Sequence, residues 1–347
     1  MELHQVQSPG GGGAASEGTT LLLSDDEVRR SCDMAAIVDA VEAALGEAPG
    51  PQLALPPRSN LAIEGTFFKV MPAIMPKAGV LGLKMFHGSF ERGVRYLVVL
   101  CDIGTGAVLA MLDADHLTAA RTGATSGVAT RHLAREDATT VGVLGAGVEA
   151  ETNLAAVAAV RSIERAKVFS PRPFRREAFA ERMGAALDIE VVPVDTAQAA
   201  IAGTDVVVAA THTGADGPVA LRGEWIEPGQ HIVSIGSTMP SRREVDVPTF
   251  TQADAVVFDV GADVVAAESG DVIAWRELDA QAVSAVPTLT ELLRAEVPGR
   301  RRVDDITVFK SIGAATQDLA AAVAVYERAR ALKTGTPVRS VADLKTF

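Results

Sequence analysis

A chain of 347 residues, 48% hydrophobic but only 4% aromatic, is long enough for two domains and reads as an Ala/Val-rich globular enzyme. Its formal net charge of −12 offers no broad basic surface to neutralise phosphates, which argues against a nucleic-acid partner. Cys32 and Cys101 lack metal-ligand spacing, and no run resembles a signal sequence or approaches eighteen apolar residues. A cytoplasmic protein with reduced thiols, no metal and no membrane partner is therefore expected.

In chain order, residues 1–18 hold Pro9-Gly-Gly-Gly-Gly13 and almost nothing apolar, and are expected to form a disordered tail. Ser24 is placed to cap a helix opening on Asp25-Asp-Glu27, and a second helical pattern covers 33–45. Short apolar runs at 67–71, 80–85, 96–101 and 107–112, separated by glycines, predict a meandering sheet. Asp102-Ile-Gly-Thr-Gly106 is its hairpin turn. One Ala-rich helix follows over 118–133 despite Gly123 and Gly127.

The apolar run 141–144 then feeds Gly145-Ala146-Gly147-Val148-Glu149-Ala150, with a helical pattern over 151–160. Strand, glycine turn and helix form the context in which such a motif signals a dinucleotide. Gly145 permits the turn and Gly147 lets the backbone approach a pyrophosphate. Ala150 lets the helix pack on its strand, and the helix N-terminus supplies amide donors. Beyond it, strands at 166–169, 189–192, 206–209, 230–235 and 255–259 are interleaved with helices at 174–186 and 196–202. That alternation predicts a parallel, doubly wound sheet. A strand at 305–309 precedes an Ala-rich helix at 316–332, expected to return to the first domain.

The adenosine ribose of such a fold lies beyond the second strand, where an acid would hold the ribose hydroxyls of NAD. Here the segment is Ser170-Pro-Arg172-Pro-Phe-Arg175-Arg176, with no acid. A hydroxyl and guanidinium groups suit the 2′-phosphate of NADPH, with NADH less favoured. Three further basic residues, Arg58, Lys84 and Arg121, stand in apolar or Gly/Pro-rich surroundings where an unpaired charge is costly. A substrate carboxylate is one partner for them; a protein acid is the other.

The segments Met71-Pro-Ala73, Gly82-Leu-Lys84, Leu117-Thr-Ala-Ala-Arg121-Thr-Gly-Ala124 and Gly145–Ala150 resemble those of the ornithine cyclodeaminase/μ-crystallin family. So do Ile235-Gly-Ser-Thr-Met-Pro240 with Arg243-Glu244, Glu268-Ser-Gly-Asp271, and Thr307-Val-Phe-Lys-Ser311-Ile-Gly313. The resemblance implies an α/β protein with a Rossmann domain over 134–314. It would be inserted in an α+β substrate and dimerisation domain over 19–133 plus 315–347, in a homodimer. It also implies a small amino acid or 2-carboxylate imine as substrate. Arg58 and Arg121 would hold its carboxylate, and Lys84 would reach carboxylate and nitrogen. Thr211 would face the cofactor, and residues 309–313, with Ser311 and Gly313, would lie along the nicotinamide.

Two departures stand out. Glu149 occupies a position where the family often has glutamine. Thr238 occupies that of the aspartate on which cyclodeaminases rely, and threonine cannot act as a carboxylate base. Reduction of a cyclic or linear imine of a 2-oxo acid is therefore expected. Lys84 would supply the proton, its pKa lowered by nearby Arg58 and Arg121, with His87, in a loop, a distant second. The alternatives are an NAD-dependent cyclodeaminase and a non-catalytic protein that binds NADPH and a small carboxylate.

Overall fold

The computed structural model describes residues 18–47, 59–89, 91–211, 213, 218–342 and 345. Arg58 and residues 1–17 of the expected tail lie outside them. The chain forms two compact units, one of residues 1–32, 49–118 and 318–347, the other of 33–48 and 119–317.

Strands β1 (Thr19–Leu23), β2 (Ser59–Ile63), β3 (Thr66–Met75), β4 (Val80–Ser89), β5 (Gly93–Asp102) and β6 (Val108–Asp113) belong to the first unit. Strands β2 to β6 form the antiparallel meander, and β1 pairs parallel to β6. The hairpin turn forms as read: the Gly106 amide donates to the Asp102 carbonyl at 2.9 Å and the Thr105 amide to its carboxylate at 2.7 Å. Helix α1 (Asp25–Ser31) opens at Ser24, whose amide and hydroxyl both donate to Glu27, at 2.9 and 2.8 Å. Strand β4 continues to Ser89, so His87 is a strand residue and not a loop residue. Side chains alternate along a strand, which puts Lys84 and His87 on opposite faces. His87 is thereby removed as a second proton donor beside Lys84.

The second unit contains β7 (Thr140–Leu144), β8 (Arg165–Phe169), β9 (Glu190–Pro193), β10 (Val206–Ala209), β11 (His231–Ser234), β12 (Ala255–Phe258) and β13 (Thr307–Lys310). All are parallel, in the order β12-β13-β11-β10-β7-β8-β9. The chain leaves β7 in one direction for β8 and β9, then returns on its other side for β10 and β11. The carboxyl ends of β7 and β10 are thus the switch point where open α/β sheets take ligands. The last strand, β14 (Thr336–Arg339), pairs with β1 in the first sheet.

Helices α2 (Met34–Gly46), α3 (Asp115–Leu133), α4 (Val148–Val160), α5 (Pro173–Leu187) and α6 (Ala197–Ile201) match the predicted positions to within a few residues. Five short ones were not predicted: α7 (Val247–Thr251), α8 (Ala262–Glu268), α9 (Gly270–Leu278), α10 (Ala280–Ser284) and α11 (Leu289–Leu293). None exceeds nine residues, too few for an apolar stripe to declare itself. The Ala-rich helix α12 spans Ala315–Leu332.

The division into compact units differs from the expected domain boundaries. Helix α2 and residues 119–133 belong with the parallel sheet. Arg131 on α3 pairs with Asp39 and Glu42 on α2. Arg161, just after α4, donates to the Thr130, Arg131 and Ala134 carbonyls at 2.8–3.1 Å. One guanidinium thus satisfies carbonyls that a helix end leaves open. Both cysteines are free, and burial pushes the Cys32 thiol up to about 12, far from a reactive thiolate. Among the described residues, no helix is long and apolar enough to cross a membrane.

Candidate active site

The glycine turn stands at the switch point. Gly145 has φ +115°, and a Cβ there would lie 2.3 Å from the Ala210 carbonyl oxygen beyond β10, so no other residue fits. Gly147 is the N-cap of α4, and nothing lies within 4 Å of where its Cβ would stand. Gly147 and Val148 are exposed, Ala146 and Glu149 half-buried, and Ala150 completely buried against the sheet. An open helix N-terminus beside a bare backbone fits a pyrophosphate. At the end of β8, Ser170 is buried, and its carbonyl accepts from Arg176 at 3.2 Å. Arg176 also pairs with Asp195, whereas Arg172 and Arg175 are exposed at the start of α5.

The loops after β10 and β11 are held by one carboxylate. Glu244 accepts from the Thr211 amide and hydroxyl (2.6 and 3.0 Å), the Ser234 hydroxyl (2.8 Å) and the Gly236 amide (2.9 Å). Glu244 is wholly buried, which pushes its carboxyl above the usual range, while Lys310 acts in the other direction. Lys310 donates to Ser234 at 3.0 Å and to Asp271 at 3.3 Å; Asp271 in turn accepts from the Glu244 amide at 2.8 Å. The Glu244, Asp271 and Lys310 segments therefore scaffold the loops at the sheet's carboxyl end. These roles were not foreseen, although Lys310, a charge closing the apolar run Val308-Phe309, was a signal. Thr238 is exposed in the turn after β11.

Arg121 is buried on α3, and its Nη1 donates to Gln317 Oε1 at 3.2 Å. Gly313, with φ +87°, lies against it: a Cβ there would meet Arg121 Nη1 at 2.7 Å. Asp259, just beyond β12, accepts from the Ser311 hydroxyl (2.7 Å), the Ile312 and Gly313 amides (3.1 and 2.6 Å) and Gln317 Nε2 (3.3 Å). The structure thus brings together Arg121, Ser311 and Gly313, which were expected, around Asp259 and Gln317, which were not.

In the first unit, Lys84 lies opposite Met71 on β3 and Val98 on β5 and is only 2% exposed. Its Nζ donates to Asp318 Oδ1 at 2.7 Å, and Asp318 is 1% exposed. The ammonium also stands 5.6 Å from the centroid of the Phe86 ring, which stacks on Tyr96 at 5.2 Å. The sequence pointed to neighbouring arginines, but this partner is an acid on α12. Asp318 carries the mark that singled out Arg121, a lone charge on an Ala-rich helix. Applied to α12, the same criterion would have found it.

The comparisons with known proteins identify the family and the fold. The family model described as "Ornithine cyclodeaminase/mu-crystallin family" matches residues 19–333. A Δ1-pyrroline-2-carboxylate reductase of Bacillus cereus is 32% identical over 313 residues, 88% of this chain and 95% of the relative. The structure of the Thermococcus litoralis Δ1-pyrroline-2-carboxylate reductase with NADH and L-proline superposes with a TM-score of 0.84 at 33% identity. It covers 91% of this chain and 99% of that one. An archaeal alanine dehydrogenase dimer with bound NAD gives 0.82 at 30% identity, covering 92% and 99%.

Proposed function

Because the chain belongs to the ornithine cyclodeaminase/mu-crystallin family, we propose that it is an NADPH-dependent reductase of cyclic or linear imines of 2-oxo acids. The broader class, an NAD(P)-dependent oxidoreductase acting on CH–NH or C=N bonds, follows from its relatives. The buried Lys84–Asp318 pair carries the reading. Two charges removed from water incur a large desolvation cost, and a proton held inside the protein is a use that justifies them.

A bound nicotinamide supplies hydride to the carbon that bears nitrogen and carboxylate. The chain's own residues do the rest. Gly145 to Glu149 hold the pyrophosphate, and Thr211, Ser311 and Gly313 line the nicotinamide end. Arg121, with Arg58 by family position, holds the carboxylate and so aims the carbon, an orientation effect. Lys84 keeps a proton on the imine nitrogen, because an iminium accepts hydride far better than a neutral imine, and Asp318 holds the ammonium in place. A homodimer belongs to the same reading. The sheet face opposite Lys84 carries Leu81, Leu83, Met85, Leu97, Val99 and Met111, all half-buried. A monomeric mass in solution would remove that part.

The test is an NADPH-oxidation screen against 2-oxo acids with ammonia or methylamine, and against five- and six-membered cyclic imines bearing the carboxylate. Turnover is expected there. No proline is expected from ornithine and no pipecolate from lysine, since the Thr238 hydroxyl does not ionise usefully near neutral pH. Proline formed catalytically from ornithine would replace this reading with a cyclodeaminase.

The preference for NADPH is supported by the absence of an acid at 170–176 and by exposed Arg172 and Arg175. The Thermococcus neighbour binds NADH, so the preference rests on these residues alone. Arg172→Ala should weaken NADPH binding by about 10- to 150-fold, as loss of a charged hydrogen bond does, with little change for NADH. A wild-type protein that bound NADH more tightly in a fluorescence titration would refute the assignment.

A further inference from the structure

Asp259 and Gln317 have no place in the reaction as proposed, yet both are buried and tied to residues that do. The Asp259 carboxylate takes four donors: the Ser311 hydroxyl, the Ile312 and Gly313 amides and Gln317 Nε2. An ionised carboxylate is acceptor-only, so it suits four converging donors without a frustrated proton. The same arrangement fixes the orientation of the Gln317 amide. Its nitrogen points at Asp259, and its oxygen accepts from Arg121 Nη1 and the Ala314 amide, both at 3.2 Å. Gly313 closes the set, because the guanidinium occupies the space a Cβ would need.

We infer that Asp259 and Gln317 are positioning residues. Asp259 is a post that fixes the 311–313 turn directly and the Arg121 guanidinium through Gln317. This rests on the reading of Arg121 as the substrate's carboxylate anchor and of 311–313 as the nicotinamide wall. Hydride transfer needs its two carbons within about 3–3.5 Å and aligned. A scaffold that locates wall and anchor from one carboxylate sets that register. Gln317 therefore acts on one ligand only, whereas Asp259 acts on both.

The asymmetry is what an experiment reads. Gln317→Met keeps the volume and removes the amide's three contacts, to Asp259, Arg121 and the Ala314 amide. It is expected to raise KM for a cyclic 2-carboxylate imine about tenfold, the effect of one lost hydrogen bond to a charged group. Binding of pyrrole-2-carboxylate, a planar carboxylate with no C=N bond to reduce, should weaken by the same factor. NADPH affinity, read by fluorescence titration, should stay within twofold. Asp259→Asn puts an amide N–H among donors and is expected to weaken NADPH and pyrrole-2-carboxylate together.

Arg121→Leu is measured alongside as the control. If it lowers pyrrole-2-carboxylate affinity and Gln317→Met does not, the positioning role is overturned. That role is equally overturned if Gln317→Met weakens both ligands to the same extent, or if Asp259→Asn spares NADPH while weakening the carboxylate. If Arg121→Leu binds pyrrole-2-carboxylate like wild type, the carboxylate-anchor reading fails instead. Should Asp259→Asn not fold, Gln317→Met still decides Gln317's role, and Asp259→Glu, which keeps the acceptor set, must then bind NADPH more weakly than wild type.

Discussion

Arg121→Leu should lower kcat/KM on every 2-carboxylate imine by roughly a hundred- to a thousandfold, the cost of losing one partner of a desolvated, hydrogen-bonded charge pair. NADPH affinity should be nearly unchanged. The fold should tolerate the change. Leucine suits the apolar surroundings of α3, and Gln317 Oε1 keeps the Ala314 amide at 3.2 Å after the guanidinium is gone. The deficit should be specific to the carboxylate, so an imine lacking that group, poor for wild type, should lose little more. An Arg121→Leu variant with wild-type kcat/KM would exclude this residue as the anchor.

Lys84→Met should separate chemistry from stability. Loss of a positioned proton donor typically lowers a rate by about 10²- to 10⁴-fold, and kcat should fall in that range. The same change strands Asp318, 1% exposed, without the ammonium at 2.7 Å. Breaking one side of a buried ion pair costs about 3–5 kcal/mol, visible in chemical denaturation. Asp318→Asn alone should also destabilise, by leaving the ammonium facing an amide. The double variant Lys84→Met with Asp318→Asn should recover much of the lost stability, since neither charge is then buried, while activity stays lost. Wild-type turnover in Lys84→Met would assign the proton to another group. A double variant no more stable than the singles would show that the pair is not coupled.

Much of the architecture could be read from local pattern. The Gly145–Ala150 turn, the meander from β3 to β6 and the alternation from β7 to β10 each repeat a period or a turn signature within a dozen residues. Such signals need no knowledge of distant contacts. The short helices between Val247 and Leu293 escaped because each spans too few turns to show periodicity. His87 was misread because the apolar run weakens at Gly88, while pairing with β3 and β5 carries β4 on to Ser89.

Local pattern in the chain was enough for the fold class, the dinucleotide turn, and the lone charges in apolar settings. Lys84 and Arg121 declared themselves because an isolated charge among apolar neighbours is costly wherever the chain goes. What compensates them is visible in the folded chain alone. Asp318 lies 234 positions from Lys84, Gln317 lies 196 from Arg121, and Asp259 lies 58 from Gln317. A charge announces its need locally through its surroundings. Its partner can come from any segment that folding brings within about 3 Å, and sequence spacing carries no record of that distance.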